Sequence, residues 1–203
     1  MAAVDDRAQT AEDTPVTTNV VANDRDPAGG IARLDAIVTA PENGLATINQ
    51  TQGTITYRPG TDFNGSDSIV YRSVDSSGNA STATLAISVT AVNDLPEALN
   101  DTATTAEDTA VSVAVLENDT DVDGDALRIT GVSAGANGTA RVTGSEITFT
   151  PKANFTGSED ISYTISDGKG GTAQAVLRVE VTAVNDAPVA TADSATTTED
   201  TPV

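Results

Sequence analysis

The sequence predicts an all-β chain built as two tandem Greek-key β-sandwich domains of seven strands each. Three observations lead there. Apolar residues recur at every second position in short runs, which is the period of a strand with one buried face. Groups of Gly, Asn and Asp separate the runs, and no stretch shows the period of a helix. The whole pattern is then written a second time.

The elements are clearest in the second copy. A short opening strand is expected over Ala103 to Ala106, followed by Val111, Val113 and Val115 alternating with small or polar residues. Leu127 with Ile129, Ala140 with Val142, and Ile147 with Phe149 mark the next three. Ile161, Tyr163 and Ile165 mark the sixth strand, and Ala175, Leu177, Val179 and Val181 the last. The intervening segments are Asp123-Gly124-Asp125, Asn137-Gly138, Gly144, Asn154-Phe155-Thr156-Gly157 and Asp167-Gly168-Lys169-Gly170-Gly171. In these, Gly or Asn accepts the positive φ that tight turns require. Aromatic residues make up only 3% of the chain, so Val, Ile, Leu and Ala must fill the cores, with Tyr57, Tyr71 and Tyr163 as core or corner residues.

The repeat fixes the domain division. Thr10-Ala11-Glu12-Asp13-Thr14 returns as Thr105-Ala106-Glu107-Asp108-Thr109 and again as Thr197-Thr198-Glu199-Asp200-Thr201. Asn23-Asp24 pairs with Asn118-Asp119, Phe63-Asn64-Gly65-Ser66 with Phe155-Thr156-Gly157-Ser158, and Asp75 with Asp167. Ala91-Val92-Asn93-Asp94 and Ala183-Val184-Asn185-Asp186 each end an alternating run and open a short spacer, the expected place for a joint between similar domains. The expected division is repeat 1 over residues 5–94, repeat 2 over 95–186, and the opening of a third repeat over 187–203, as in a segment of a longer array.

Composition narrows the chemistry. Acids outnumber bases 30 to 10, for a net charge of −20, so nucleic acid and anionic membrane are repelled while cations are concentrated. There is no cysteine and no histidine. Disulfides, thiolate zinc sites and the usual neutral-pH general base are therefore excluded, and the chain is not expected to be an enzyme. No apolar stretch approaches the ~20 residues that span a bilayer, so no membrane insertion is expected.

The carboxylates are unevenly spread. Asp119, Asp121, Asp123 and Asp125 stand at every second position before and around a Gly turn, where a bend can gather them and where they repel one another without a counterion. Hard divalent cations resolve that repulsion, and Ca²⁺ with 6–8 flexible oxygen ligands suits it better than octahedral Mg²⁺. The opening Asp-x-Asp-x-Asp-Gly resembles an EF-hand loop, but Thr130 holds its twelfth position and no helices flank it. The competing reading is that turn aspartates serve only to set the turn.

Over nearly its whole length the chain resembles cadherins, and more closely the bacterial cadherin-like, immunoglobulin-like tandem repeats of large RTX and Bap type surface adhesins. Glu12 and Glu107 match the early Glu of that family, Asp121 and Asp123 its Asp-x-Asp loop, and Asp167 its later Asp. Asn93-Asp94 and Asn185-Asp186 match the centre of its linker, and Asp67 and Glu159 the acid before its tyrosine strand. Two departures stand out: Ala91 and Leu95 flank the first linker core where the family has Asp and Asn, and Asp26-Pro27-Ala28 replaces the acid loop in repeat 1.

The resemblance implies a Ca²⁺ cluster at the joint between repeats, held by Glu12, Asp67, Asn93, Asp94, Asp121, Asp123 and Asp167. It further implies a calcium-stiffened spacer in an extracellular or cell-surface adhesin. The partners would be neighbouring repeats of the same chain, with cell-surface polysaccharide or homophilic contacts outside it. The alternative is a carbohydrate-binding module, against which stands the shortage of aromatic faces on which sugars stack.

Overall fold

A computed structural model describes residues 1–26, 29, 30, 32–200 and 202. The chain is all-β and forms two units, Met1–Asp94 and Leu95–Val203. In unit 1 the described strands are β1 (Asp6–Ala11), β2 (Val16–Asn19), β3 (Arg33–Thr39), β4 (Gly44–Asn49), β5 (Thr54–Pro59), β6 (Gly65–Val74) and β7 (Ala80–Thr90). In unit 2 they are β8 (Asp101–Ala106), β9 (Val111–Val113), β10 (Arg128–Val132), β11 (Gly138–Thr143), β12 (Glu146–Pro151), β13 (Gly157–Ser166) and β14 (Thr172–Thr182).

Each unit is a sandwich of a four-stranded sheet on a three-stranded one. The orders are β1-β7-β6-β3 over β2-β5-β4 in unit 1, and β10-β13-β14-β8 over β11-β12-β9 in unit 2. The first strand of each unit runs parallel to the last, and the other pairs are antiparallel. Alternation explains the long hairpins. In β14, Ala175, Leu177, Val179 and Val181 are buried while Gln174, Val176, Arg178 and Glu180 between them are less so. Among the expected turns, positive φ falls at Gly124, Gly144, Asn154, Gly157, Gly168 and Gly170, but not at Asn137 or Gly138, where Gly138 opens β11 instead.

Each core is small and aliphatic around two aromatic rings. Tyr57 and Tyr71 are enclosed by Ile55, Ile69 and Leu85 in unit 1, and Phe149 and Tyr163 by Ile147, Ile161 and Leu177 in unit 2. Each of these side chains is fully buried or nearly so. Truncating such a Leu or Ile to Ala costs roughly 2–5 kcal/mol, a large part of what a domain of this size has.

One expected strand is shorter than its pattern. Val111, Val113 and Val115 alternate, but β9 stops at Val113, because the chain bends there and the Val115 N–H donates to the Val113 carbonyl. The bend swings Val115 fully into the core while Val111 and Val113 stay half-buried. From Ala187 to Asp200 the described residues form no strand and are exposed. Pro27 and Ala28, part of the expected degraded loop of repeat 1, and Thr201 and Val203 of the third repeat lie outside the described residues.

Candidate metal centre

The repeated Thr-Ala-Glu-Asp-Thr stretch closes one end of each sandwich. Asp13 and Asp108 adopt positive φ of 55° and 58°, which aspartate tolerates better than most residues. Their carboxylates accept the backbone N–H of Asp62 and Asn154 in the turn opposite. The turn is braced a second time by Thr10 and Thr105, whose hydroxyls donate to the carbonyls of Thr14 and Thr109.

That turn presents a buried glutamate to the segment after the last strand. Glu12 is 4% exposed, and its carboxylate accepts the Val92 N–H and, at 3.5 Å, the Asn64 amide. Glu107 accepts the Val184 N–H at 2.6 Å in the same way. The early Glu thus fixes where the Val-Asn-Asp stretch leaves its own unit. In unit 1 this brings carboxylate oxygens of Glu12 and Asp94 within 4.8 Å of each other. Asn93 donates from its amide to the Asp94 carbonyl at 2.8 Å, and Asn185 repeats this with Asp186 at 3.2 Å.

The acid loop of unit 2 is the second cluster. Asp121 Oδ1 accepts the backbone N–H groups of Asp123 and Asp125, and Gly124 at φ 74° lets the chain double back. The result gathers oxygens of Asp121, Asp123 and Asp125 within 4.8 Å of one another. Asp121 Oδ2 is buried and accepts no hydrogen bond. Lys169 places an exposed amino group 3.7 Å from Asp125 Oδ1. Converging carboxylate oxygens, one of them on Asp121 without a donor, suit a hard divalent ion with oxygen ligands, so the donor set fits Ca²⁺.

The fourth acid of the run turns away. Thr120 pairs with Glu97 in an isolated bridge, and Asp119 accepts the Leu99 N–H at 2.8 Å. Asp24 does the same for the Val4 N–H. The sequence showed the duplicated Asn-Asp pair, but Asp119 was expected to join the acids of the run rather than brace the entering chain. All four acids were expected to draw a divalent cation while the resemblance implied only Asp121 and Asp123 as ligands, and the structure sets Asp125 beside those two.

Asp67 and Asp167 belong neither to the Glu12–Asp94 pair nor to the acid loop. Asp67 accepts the N–H groups of Glu42, Asn43 and Ser68 and the Tyr57 hydroxyl. Partial burial pushes its carboxyl up, but those donors outweigh it and hold the group below the usual aspartate range. Asp167 is 4% exposed and accepts the N–H groups of Lys169, Gly170 and Gly171. A Cβ on Gly171 would run into that carboxylate, which is why the turn needs glycine there.

A family model described as a bacterial Ig domain matches residues 1–88 and again residues 93–180. No curated protein matches the chain. Among solved structures, the extracellular cadherin domains 1-5 of protocadherin gamma B2 are 14% identical, with a TM-score of 0.55 over 90% of this chain and 38% of that one. Human mucin-like protocadherin EC1-2 is 19% identical, with a TM-score of 0.50 over 88% of this chain and 96% of that one. An endo-fucoidan hydrolase from glycoside hydrolase family 107 is 20% identical at a TM-score of 0.36, over 91% of this chain and 28% of the hydrolase. The chain thus spans less than a third of that hydrolase. The cadherin likenesses show the fold, and the hydrolase score is too low to bear on function.

Proposed function

Because this chain belongs to the bacterial Ig domain family, with two tandem copies, we propose that it is a Ca²⁺-binding segment of an extracellular repeat array. It serves as a spacer in a surface adhesin and is not an enzyme. The ions are held by Glu12 and Asp94 at the end of unit 1 and by Asp121, Asp123 and Asp125 in unit 2. Among the described residues, no helix is long and apolar enough to cross a membrane.

The observation that carries this reading is the acid loop, in which three carboxylates converge and the buried Asp121 Oδ2 has no donor. Left without a cation, that arrangement costs both repulsion and an unmet hydrogen bond. The resemblance to cadherin-like repeats supports the same ion.

Calorimetric titration of the chelated chain with Ca²⁺ tests it. Binding is expected, and it should be lost at the unit 2 site in Asp121→Asn. Saturation at 100 times Kd adds ~2.7 kcal/mol of stability per site. Absence of binding heat together with equal melting in calcium and in chelator would refute the proposal. A glycan array with and without calcium separates it from a carbohydrate-binding role.

A further inference from the structure

Each unit carries another carboxylate against a buried tyrosine, apart from the residues assigned to calcium. In unit 1 the Tyr71 hydroxyl lies 2.7 Å from Asp6 Oδ2, 2.9 Å from the Val20 carbonyl oxygen and 3.0 Å from the Val4 carbonyl oxygen. In unit 2 the Tyr163 hydroxyl lies 2.8 Å from Asp101 Oδ2, 2.8 Å from the Leu99 carbonyl oxygen and 3.4 Å from the Val115 carbonyl oxygen. All these neighbours are acceptors if the aspartate is ionised, and a phenol has one proton to give. Burial, reinforced by the adjoining aspartate, raises both tyrosines far above their ordinary pKa, so neither phenol ionises. One proton cannot bridge two oxygen contacts at 2.8 Å, and an oxygen pair at that distance without a hydrogen between them is repulsive.

The shortage of donors extends around each tyrosine. Asn23 Oδ1 beside Asp6, and Asp119 Oδ2 in unit 2, are buried and accept nothing. The charges acting on Asp6 are Asp24 and Asp5, and in unit 2 Asp101 acts on Asp119, all of one sign. Neither Asp6 nor Asp101 takes part in an ion pair among the described residues. Nor does either belong to a described group of three carboxylates with oxygens within 4.8 Å, so a metal ion is a poor source of the missing positive charge. A bound proton is the remaining source.

We propose that Asp6 and Asp101 are held as neutral acids, each donating a proton to the tyrosine hydroxyl, which donates in turn to a backbone carbonyl of its own unit. Each sandwich is then closed at this end by a proton-loaded Asp–Tyr latch. The tyrosine projects from β6 or β13. It ties the chain entering the first strand, at Val4 or Leu99, to the chain leaving the second, at Val20 or Val115. The neighbouring position shows the contrast: Asp5 and Asn100 each accept one strand N–H, from Thr84 and Val176, so an acid and an amide serve equally there.

The direction of both titrations agrees with the geometry. Burial raises the Asp6 carboxyl against the opposing hydrogen bonds of Tyr71 and Asn23, and the Asp24 and Asp5 charges raise it further. Burial raises Asp101 against the bonds of Tyr163 and Asn118. A folded-state pKa above the unfolded value means the contribution is fully present below the ordinary aspartate pKa and is lost as pH rises through the folded value.

The test is a carboxyl-carbon NMR titration of the intact chain in chelator, with Asp6→Asn and Asp101→Asn as assignments and as variants. Asp6 and Asp101 should retain the acid form above the ordinary aspartate range. An amide can donate as the neutral acid does. Each variant should therefore raise the melting midpoint of its unit by about 4 °C or more at pH 7, and by much less at pH 4. Titration at or below the ordinary range, or variants that melt lower at pH 7 than the parent, would overturn the latch. Calcium binding is not needed for either readout, so failure here and failure of the calcium reading are distinguishable.

Discussion

The two units solve one local problem with two different residue pairs. The loop leading into the fourth strand is pinned in unit 1 by Asp67, which also accepts the Tyr57 hydroxyl at 2.9 Å. In unit 2 the tyrosine is Phe149 and the acid is Glu159, which accepts the N–H groups of Ala136 and Asn137 and the Asn137 amide. Glu159, one methylene longer than Asp67, holds its loop with no phenol hydroxyl among its donors. Tyr57→Phe should cost unit 1 about 1.5–3 kcal/mol, the worth of a hydrogen bond to a charged group, and adding Asp67→Glu should return part of it. Urea midpoints measure both, and a double variant no more stable than Tyr57→Phe would show that the pairs are not interchangeable. Asp67 lies below the ordinary range in the fold, so its contribution is present above that range and is lost as pH falls through the folded value. Asp67→Asn should flatten that part of the acid limb.

At the scale of elements, the fourth strand of each unit begins on a glycine because nothing larger fits. A Cβ on Gly44 would come within 2.7 Å of the Tyr57 ring, and one on Gly138 within 2.5 Å of both the Phe149 ring and the Thr150 carbonyl oxygen. Gly138→Ala is expected to lower the stability of unit 2 by about 1–3 kcal/mol, as overpacking does, while Gly144→Ala meets no such neighbour and suffers only its positive φ. Thermal melts measure both, and a Gly138→Ala loss well below about 1 kcal/mol would mean that the ring yields and does not set the limit. Strands of this kind were legible in the sequence, because alternation depends on which face is buried and needs no knowledge of partners. Val115 was misplaced in its strand because a bend breaks that periodicity without changing composition. The acids were less legible: Asp67 looks like Asp121 in a sequence, and only their donors distinguish a carboxylate saturated by N–H groups from one with an oxygen left over. Asp6 and Asp101 gave no signal at all, since their tyrosines lie 65 and 62 residues away.

For the whole molecule, the proposed calcium sites and the proposed latches call for opposite responses to pH. Carboxylates that hold Ca²⁺ must be ionised to bind it, so on that proposal falling pH weakens whatever the ions hold together, whereas the proposed Asp6 and Asp101 latches strengthen as pH falls. On the proposed function, mild acid or chelator should therefore release the joint while leaving each sandwich folded. Spin or fluorescence labels placed on exposed positions of unit 1 and unit 2 would read this as a distance distribution. It should be narrow in calcium and broad in chelator, with far-UV circular dichroism nearly unchanged. Asp94→Ala should broaden the distribution even in calcium, because it removes the carboxylate that stands next to Glu12. Asp193→Ala, on the exposed segment beyond the second unit, should leave it unaltered. A distribution equally narrow in calcium and chelator would mean that the joint is stiff without metal. The acid loop would then have to act within unit 2 alone.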